Sequence, residues 1–421
     1  MENRGGARAA AVLASLWCLL APAYSQAADD QQGPGRPGLV KRAVRSFLSD
    51  GEAGRGGGLH VGPFFPRVET VSSGAGLAPM IHFWAPDLGG TRLDVHASAA
   101  YSINSYQYYD LQVGRVPHEG KRLPRVAWGT RGLFPLADIE KSAAAPGFGV
   151  YVSAQYRDFP REDFYGIGAT SLRLDRTDYR LQDGLYEGIV RLRTGRLSFM
   201  ARAGLLQASV SPGTDSAFPD TAISNDQNTA PGLSRSPDFV EVSGGAWLEL
   251  RDEPRNPHRG AALGVAFSRF DDRHASAFEF NRVIVDAREY IALGSNRHVV
   301  ALRQVTSLTR PDAGSRVPFY MQSSLGGGTL LRGYSSVRFR GDKLLALEAE
   351  YRFELHPKIE LALIYEAAKV FPTMREFDLR RLLRSWGAGI RLKSPRRVRL
   401  RLDVMRSVEG TRVGLTLGQS F

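Results

Sequence analysis

The tightest constraint on this chain is a strict two-residue alternation. In "RVRLRLDV", Val398, Leu400, Leu402 and Val404 alternate with Arg397, Arg399, Arg401 and Asp403. In "KLLALEAEYRFEL", Leu345, Leu347, Ala349, Tyr351, Phe353 and Leu355 take one face, and Glu348, Glu350, Arg352 and Glu354 the other. "VEVSGGAWLEL" sets Val240, Val242, Leu248 and Leu250 against Glu241 and Glu249. Side chains of a β-strand point alternately to the two faces of a sheet, so this period means strands with one apolar and one charged face.

Segments of this kind predict sixteen strands: 76–84, 91–102, 105–115, 148–157, 166–180, 183–194, 196–210, 238–251, 259–271, 276–292, 297–310, 342–356, 358–370, 383–394, 396–407 and 411–421. Many exceed the roughly 9–11 residues with which a tilted strand crosses a bilayer. Some joints are tight, as at 194–196, and others long, as at 116–147, 211–237 and 311–341. A large soluble β-sandwich or propeller is the alternative, but no blade-like repeat is visible. Arginine and glutamate on the polar faces suit a wet lumen instead. The expected fold is therefore all-β, a 16-stranded antiparallel transmembrane β-barrel.

The ends of the chain fit this reading. Arg4 and Arg8 precede the apolar run Ala9–Ala23, and small residues end at Ala27, which predicts a signal peptide over 1–27. Cys18, the single cysteine, lies inside it, and Trp17 stands where a lipoprotein anchor wants a small residue. The mature chain then has neither disulfides nor thiolate metal sites. Residues 28–75 read as a Gly/Pro-rich leader, with one short amphipathic helix in "LVKRAVRSFLSD", and 76–421 as the barrel. The last segment places Val413, Leu415, Leu417 and the terminal Phe421 on one face. Such an aromatic ending resembles the insertion signal of outer-membrane barrels, read by the barrel-assembly machinery.

One loop breaks the alternation. "LGGGTLLRGYSSVRFRGD", Leu325 to Asp342, is glycine-rich and basic between two strong strands. An arginine inside a narrow barrel needs a carboxylate, because burying it unpaired is costly. Glu350 and Glu366 fall on the inward faces of the next two strands, the latter opposite Leu361, Leu363 and Tyr365. Arg332 reaching both would pin the loop by charge-assisted hydrogen bonds, with Gly333 allowing a tight tip and Tyr334 packing on the wall. The bland reading is that the loop merely braces the barrel.

"VPFYMQSSLGGGTLLRGY", followed by "RFRGD" and "EAEYRF", resembles the BamA/TamA-type family of outer-membrane assembly barrels, the bacterial surface antigen family. "RDEPRNPHRG" at 251–260 and "DFYGIG" at 163–168 are similar to further turns of that family. The resemblance spans essentially 76–421. It implies an Arg-Gly-aromatic tip folded into the lumen after the eleventh strand, held by acidic positions matching Glu350 and Glu366. It also implies assisted insertion or translocation of protein, or of lipid, in an outer membrane with its lipopolysaccharide. Residues 28–75 are too short for a POTRA domain, which points to a short, POTRA-less branch. Pro79 in the first strand, and Gly414 and Gly418 in the last, weaken pairing where the two ends of the sheet meet. That seam is similar to the lateral gate proposed for the family.

Other chemistry is weakly supported. None of the eight histidines is spaced as a metal pair, and no Gly-x-Ser-x-Gly or Walker loop occurs, so no catalytic residue and no cofactor is expected. An outer-membrane lipid-modifying enzyme would need a serine beside His82, His96 or His118. The excess of Lys+Arg, 55 against 43 Asp+Glu, lies along strands or in loops rather than among stacking aromatics, so nucleic acid is not an expected partner. A passive pore is the other reading.

Overall fold

The computed structural model describes residues 62–69, 72, 75–76, 78–116, 136, 139–140, 147–274, 277–394, 397–417 and 421. The signal peptide, the amphipathic helix, His118 and Gly418 lie outside them. Strands β1 (Phe64–Glu69), β2 (Ala78–Ala85), β3 (Asp94–Tyr101), β4 (Gln107–Arg115), β5 (Gly147–Phe164) and β6 (Thr177–Thr194) open the sheet. It continues through β7 (Leu197–Pro212), β8 (Asp238–Glu249), β9 (Gly260–Asp272), β10 (Phe280–Ala292) and β11 (His298–Pro311). The long loop follows, carrying the short pair β12 (Ser323–Leu325) and β13 (Phe339–Gly341). The sheet closes its run with β14 (Lys343–His356), β15 (Ile359–Phe371), β16 (Leu383–Ser394), β17 (Arg397–Ser407) and β18 (Gly410–Leu417).

Leaving out β12 and β13, each strand pairs with its neighbour in the chain, giving one 16-stranded sheet. Short turns make these neighbours antiparallel. Gly195, at φ 56°, closes the two-residue β6–β7 turn in a left-handed conformation that a side chain would strain. No described helix is long and apolar enough to cross a membrane. The alternation sorts as charge dictates: on β15, Leu363 and Tyr365 are 61% and 46% exposed, while Glu360 and Glu366 are 4% and 1%. Buried pairs tie the inward faces, as where Arg202 of β7 donates to Glu241 of β8 at 2.9 Å and lies 3.3 Å from Glu187 of β6.

Two strand assignments needed correction, and they cancel in the count. The sheet begins at β1, inside the stretch read as leader; Pro66 hid it, but an edge strand tolerates proline because one side needs no ladder. Pro79 consequently lies one strand in from the edge, at the start of β2 opposite Val68, and is not a seam residue. The three segments expected over 148–194 are two long strands. β5 continues past Pro160 through a register shift between Phe159 and Glu162, a bulge that absorbs the proline. The break expected at 181–182, between segments 166–180 and 183–194, is absent, because β6 runs unbroken through it. Instead Asp183 faces inward in mid-strand and forms a bidentate pair with Arg157.

The sheet curls, because one loop touches both of its halves. Arg340 donates to Tyr179 Oη of β6 at 3.0 Å, while Ser407 Oγ of β17 donates to the Gly333 carbonyl at 2.8 Å. Among the described residues no ladder joins β1 to β18.

Candidate functional site

Between β11 and β14 the chain turns into the interior. Gly326, at φ 108°, starts the turn, where a Cβ would lie 1.9 Å from the Ser335 carbonyl oxygen. Its N–H donates to the Leu330 carbonyl. Leu331 takes a left-handed φ of 59°, a strained state for a bulky residue, and the Tyr334 N–H closes the tip on the Leu331 carbonyl at 3.2 Å. Burial holds this conformation: Leu325, Leu330, Leu331, Tyr334 and Phe339 pack against Val305, Leu344, Ala346, Ala368 and Val370.

The tip presents Arg332, 7% exposed, to three carboxylates on three strands. Nη2 donates to Glu350 of β14 at 2.9 Å, Nε to Glu366 of β15, and Nη1 to Asp403 of β17 at 3.0 Å. The Arg332 backbone N–H also donates to Glu366, at 2.6 Å. Intervening β16 joins through Ser385, whose hydroxyl donates to Glu366, and through Arg391, which donates to Glu350 at 2.7 Å. Each fork of the guanidinium is used, which is why arginine rather than lysine suits the position. Gly333 is squeezed between β16 and β17, where an added Cβ would lie 2.5 Å from Ser385 Cβ and 3.2 Å from Ser407 Cβ. The Tyr334 ring stacks edge-on against Phe339 at 5.2 Å.

The other loop arginines turn inward too. Arg338 donates to Glu409 at 2.8 Å and to Ser171 at 2.9 Å, and Arg340 donates to the Phe319 carbonyl at 3.2 Å. The "DFYGIG" segment meets them: the Gly168 N–H donates to the Arg340 carbonyl at 2.7 Å, and the Tyr165 ring lies 4.9 Å from the Arg338 guanidinium. In "RDEPRNPHRG", Asp252 caps its own turn by accepting from the His258 and Arg259 N–H groups.

Asp403, Ser385 and Ser407 were not singled out from sequence as partners of the tip. Asp403 had a signal: it is the acid on the otherwise basic face of its strand. A second inward contact had none. Between β4 and β5, Glu140 accepts both Nη groups of Arg288, at 2.6 and 2.9 Å, and Arg251 at 3.2 Å.

The seam and the terminus are placed differently. Gly414 lies on β18 opposite Asp403, with open space where a Cβ would stand, and among the described residues β18 pairs only with β17. Phe421 does not share the face of Val413 and Leu415. Those are 68% and 65% exposed, whereas Phe421 is 5% exposed and packs against Tyr290, Val299 and Ala301 on inward faces of β10 and β11. His96 Nδ1 lies 3.5 Å from Asp110, and Ser98 donates to that same carboxylate at 2.6 Å rather than to an imidazole.

A curled antiparallel sheet of sixteen strands, lipid-facing side chains outside and an arginine-latched loop inside define the class of outer-membrane insertion and translocation barrels. The model of the Omp85 superfamily domain matches residues 193–420, more than half of the chain, and the chain belongs to that superfamily. Its fold is similar to that of BamA from Haemophilus ducreyi lacking POTRA domains 1–3, at TM-score 0.57 and 14% identity, over 83% of this chain and 67% of that one. CdiB from Escherichia coli matches at TM-score 0.47 and 13% identity, over 91% and 71%. Comparison with curated proteins finds no match.

Proposed function

We propose that this barrel promotes the entry of polypeptide strands into the outer membrane through the seam between β1 and β18, with the Arg332 latch holding the lumenal loop as a fixed brace. The observation that carries the reading is the placement of Arg332. Its carboxylates lie on β14, β15 and β17, so it stiffens the wall up to the neighbour of the last strand. The described parts of the seam strands are short, six residues in β1 and eight in β18 against eighteen in β5. A rigid wall beside weakly zipped edges lets the edges separate without unfolding the sheet, and an open edge is a template for an incoming strand. Lipid or lipopolysaccharide passing the same seam is the other cargo it would admit.

The test is insertion of an unfolded reporter barrel into liposomes that hold the purified protein, followed by protease protection. Faster insertion with wild type than with empty liposomes, and slower insertion with Arg332→Ala, is the expected result. Equal rates in all three would remove the assembly role.

A further inference from the structure

Four neighbouring strands carry a row of basic side chains on the lipid face. Lys343 of β14, Lys369 of β15, Arg384 of β16 and Arg406 of β17 share the outward alternation of exposed Tyr351, Tyr365, Trp386 and Val404. In register, Arg406 stands opposite Trp386, Arg384 opposite Ala367, Lys369 opposite Leu345 and Lys343 opposite Phe371. Each basic residue is thus two residues nearer the long-loop end than the one on the following strand. The hairpin turns drift along the same diagonal. Through successive ladders Leu197, beside the β6–β7 turn, falls in register with Leu347, well short of the β14–β15 turn at 357–358. Strands in such barrels tilt, so a diagonal of this kind holds the four heads at about one depth. Ten residues separate Ile359 from Lys369, about 25 Å of height on a tilted strand, which is the thickness of the apolar band. The row therefore lies at headgroup level on the side of the long loops, the outer leaflet of an outer membrane.

These charges are not neutralised within the chain. Lys343 Nζ donates to the Pro372 carbonyl at 2.6 Å, Lys369 Nζ to the Glu376 carbonyl at 3.1 Å, and Arg406 Nη1 to Thr411 Oγ1 at 3.1 Å. Among the described residues none of the four has a carboxylate partner. Outward arginines elsewhere on the sheet do: Arg180 pairs with Asp158, and Arg269 with Asp312 at 2.9 Å. Strand spacing and rise set adjacent heads of the row about 8 Å apart, so a single phosphate reaches two of them at most.

We propose that the outward face of β14–β17 is a docking surface for an outer-leaflet glycolipid with more than one phosphate on its headgroup. The phosphates sit on the basic row, and the acyl chains lie along exposed Leu363, Tyr365 and Trp386. Lysine and arginine heads attract anionic headgroups, and the rings suit the boundary between headgroup and chain. The lipid stays on the wall as a fixed ligand, one strand away from seam strand β18. This surface does not rest on the insertion reading above.

The full chain in detergent micelles is titrated with bisphosphorylated lipid A, and retained lipid is counted by native mass spectrometry. Wild type should bind it more tightly than monophosphorylated lipid A, and phosphatidylglycerol weakly. The double variant Lys369→Gln/Arg384→Gln should lose about thirtyfold in affinity. Arg180→Gln/Arg269→Gln, an equal change of charge elsewhere on the sheet, should bind as wild type does. Equal losses in the two double variants, or no loss in the first, overturn the surface. Phosphatidylglycerol bound as tightly as lipid A, or full displacement by inorganic phosphate alone, overturns the glycolipid assignment. Should Lys369→Gln/Arg384→Gln not fold, the wild-type chain is photo-crosslinked to lipid A bearing a diazirine on its headgroup. Adducts on β14–β17 support the surface, and adducts confined to other strands overturn it. Lipid binding without reporter insertion keeps this surface and removes the assembly role; insertion without lipid binding does the reverse.

Discussion

At the scale of single residues the latch makes sharp demands. Arg332→Ala leaves Glu350, Glu366 and Asp403 facing one another without the shared cation. Breaking a buried ion pair from one side costs about 3–5 kcal/mol. The unfolding temperature of the barrel, read from its heat-dependent gel shift, should fall accordingly, and Arg332→Lys should recover only part because an ammonium cannot fork three ways. An unchanged temperature for Arg332→Ala would mean that the latch holds nothing. Gly333→Ala drives a methyl to 2.5 Å from Ser385 Cβ, and overpacking of this kind costs about 1–3 kcal/mol. Ser385→Gly in the same chain should return most of it, a coupling that a double-mutant cycle measures directly. The sequence offered Glu350 and Glu366 because each sits on the charged face of an alternating strand. It did not offer Ser385, since a serine on an inward face has no pattern that marks it.

At the scale of elements, local signals competed with pairing, and pairing prevailed. Pro66 argued against a strand, and a break was expected at 181–182, yet Pro66 sits on the edge strand and β6 runs through 181–182 with Asp183 facing Arg157 across a ladder. The two errors offset each other, so the loop still follows the eleventh strand. Asp183→Ala should destabilise the barrel by about 3–5 kcal/mol, because buried Arg157 then loses its bidentate carboxylate, and urea titration of the variant against wild type measures the loss. The loop itself packs against β11, β14 and β15. Deleting 326–337 should therefore raise single-channel conductance in planar bilayers several-fold over wild type. Identical conductance would show that the loop does not obstruct the lumen.

At the scale of the whole molecule, the outward faces must meet lipid. Leu363 stands 61% exposed on β15 between Leu361 and Tyr365. Arginine on the lipid face near mid-membrane costs about 2–4 kcal/mol, against less than about 0.5 kcal/mol on an ordinary wetted surface. Leu363→Arg should lower the folding free energy in liposomes by the larger amount, measured by urea titration. A change near zero would place that face in water. Neighbouring Glu366, one turn of the pleat away on the lumenal side, would answer differently, since its loss strips Arg332 of a partner.

The sequence by itself determined that the chain is a barrel of alternating strands, which faces are charged, and where the long basic loop leaves the pattern. Those features depend on neighbours two residues apart, and a strand's pleat makes them visible in one dimension. Tertiary structure decided the rest: that Asp403 completes the Arg332 cluster, that Glu140 reaches Arg288, and that Phe421 turns from the lipid face to a niche on the far wall. Such contacts depend on register and curvature accumulated over many strands. No local period encodes which residues a curled sheet brings face to face.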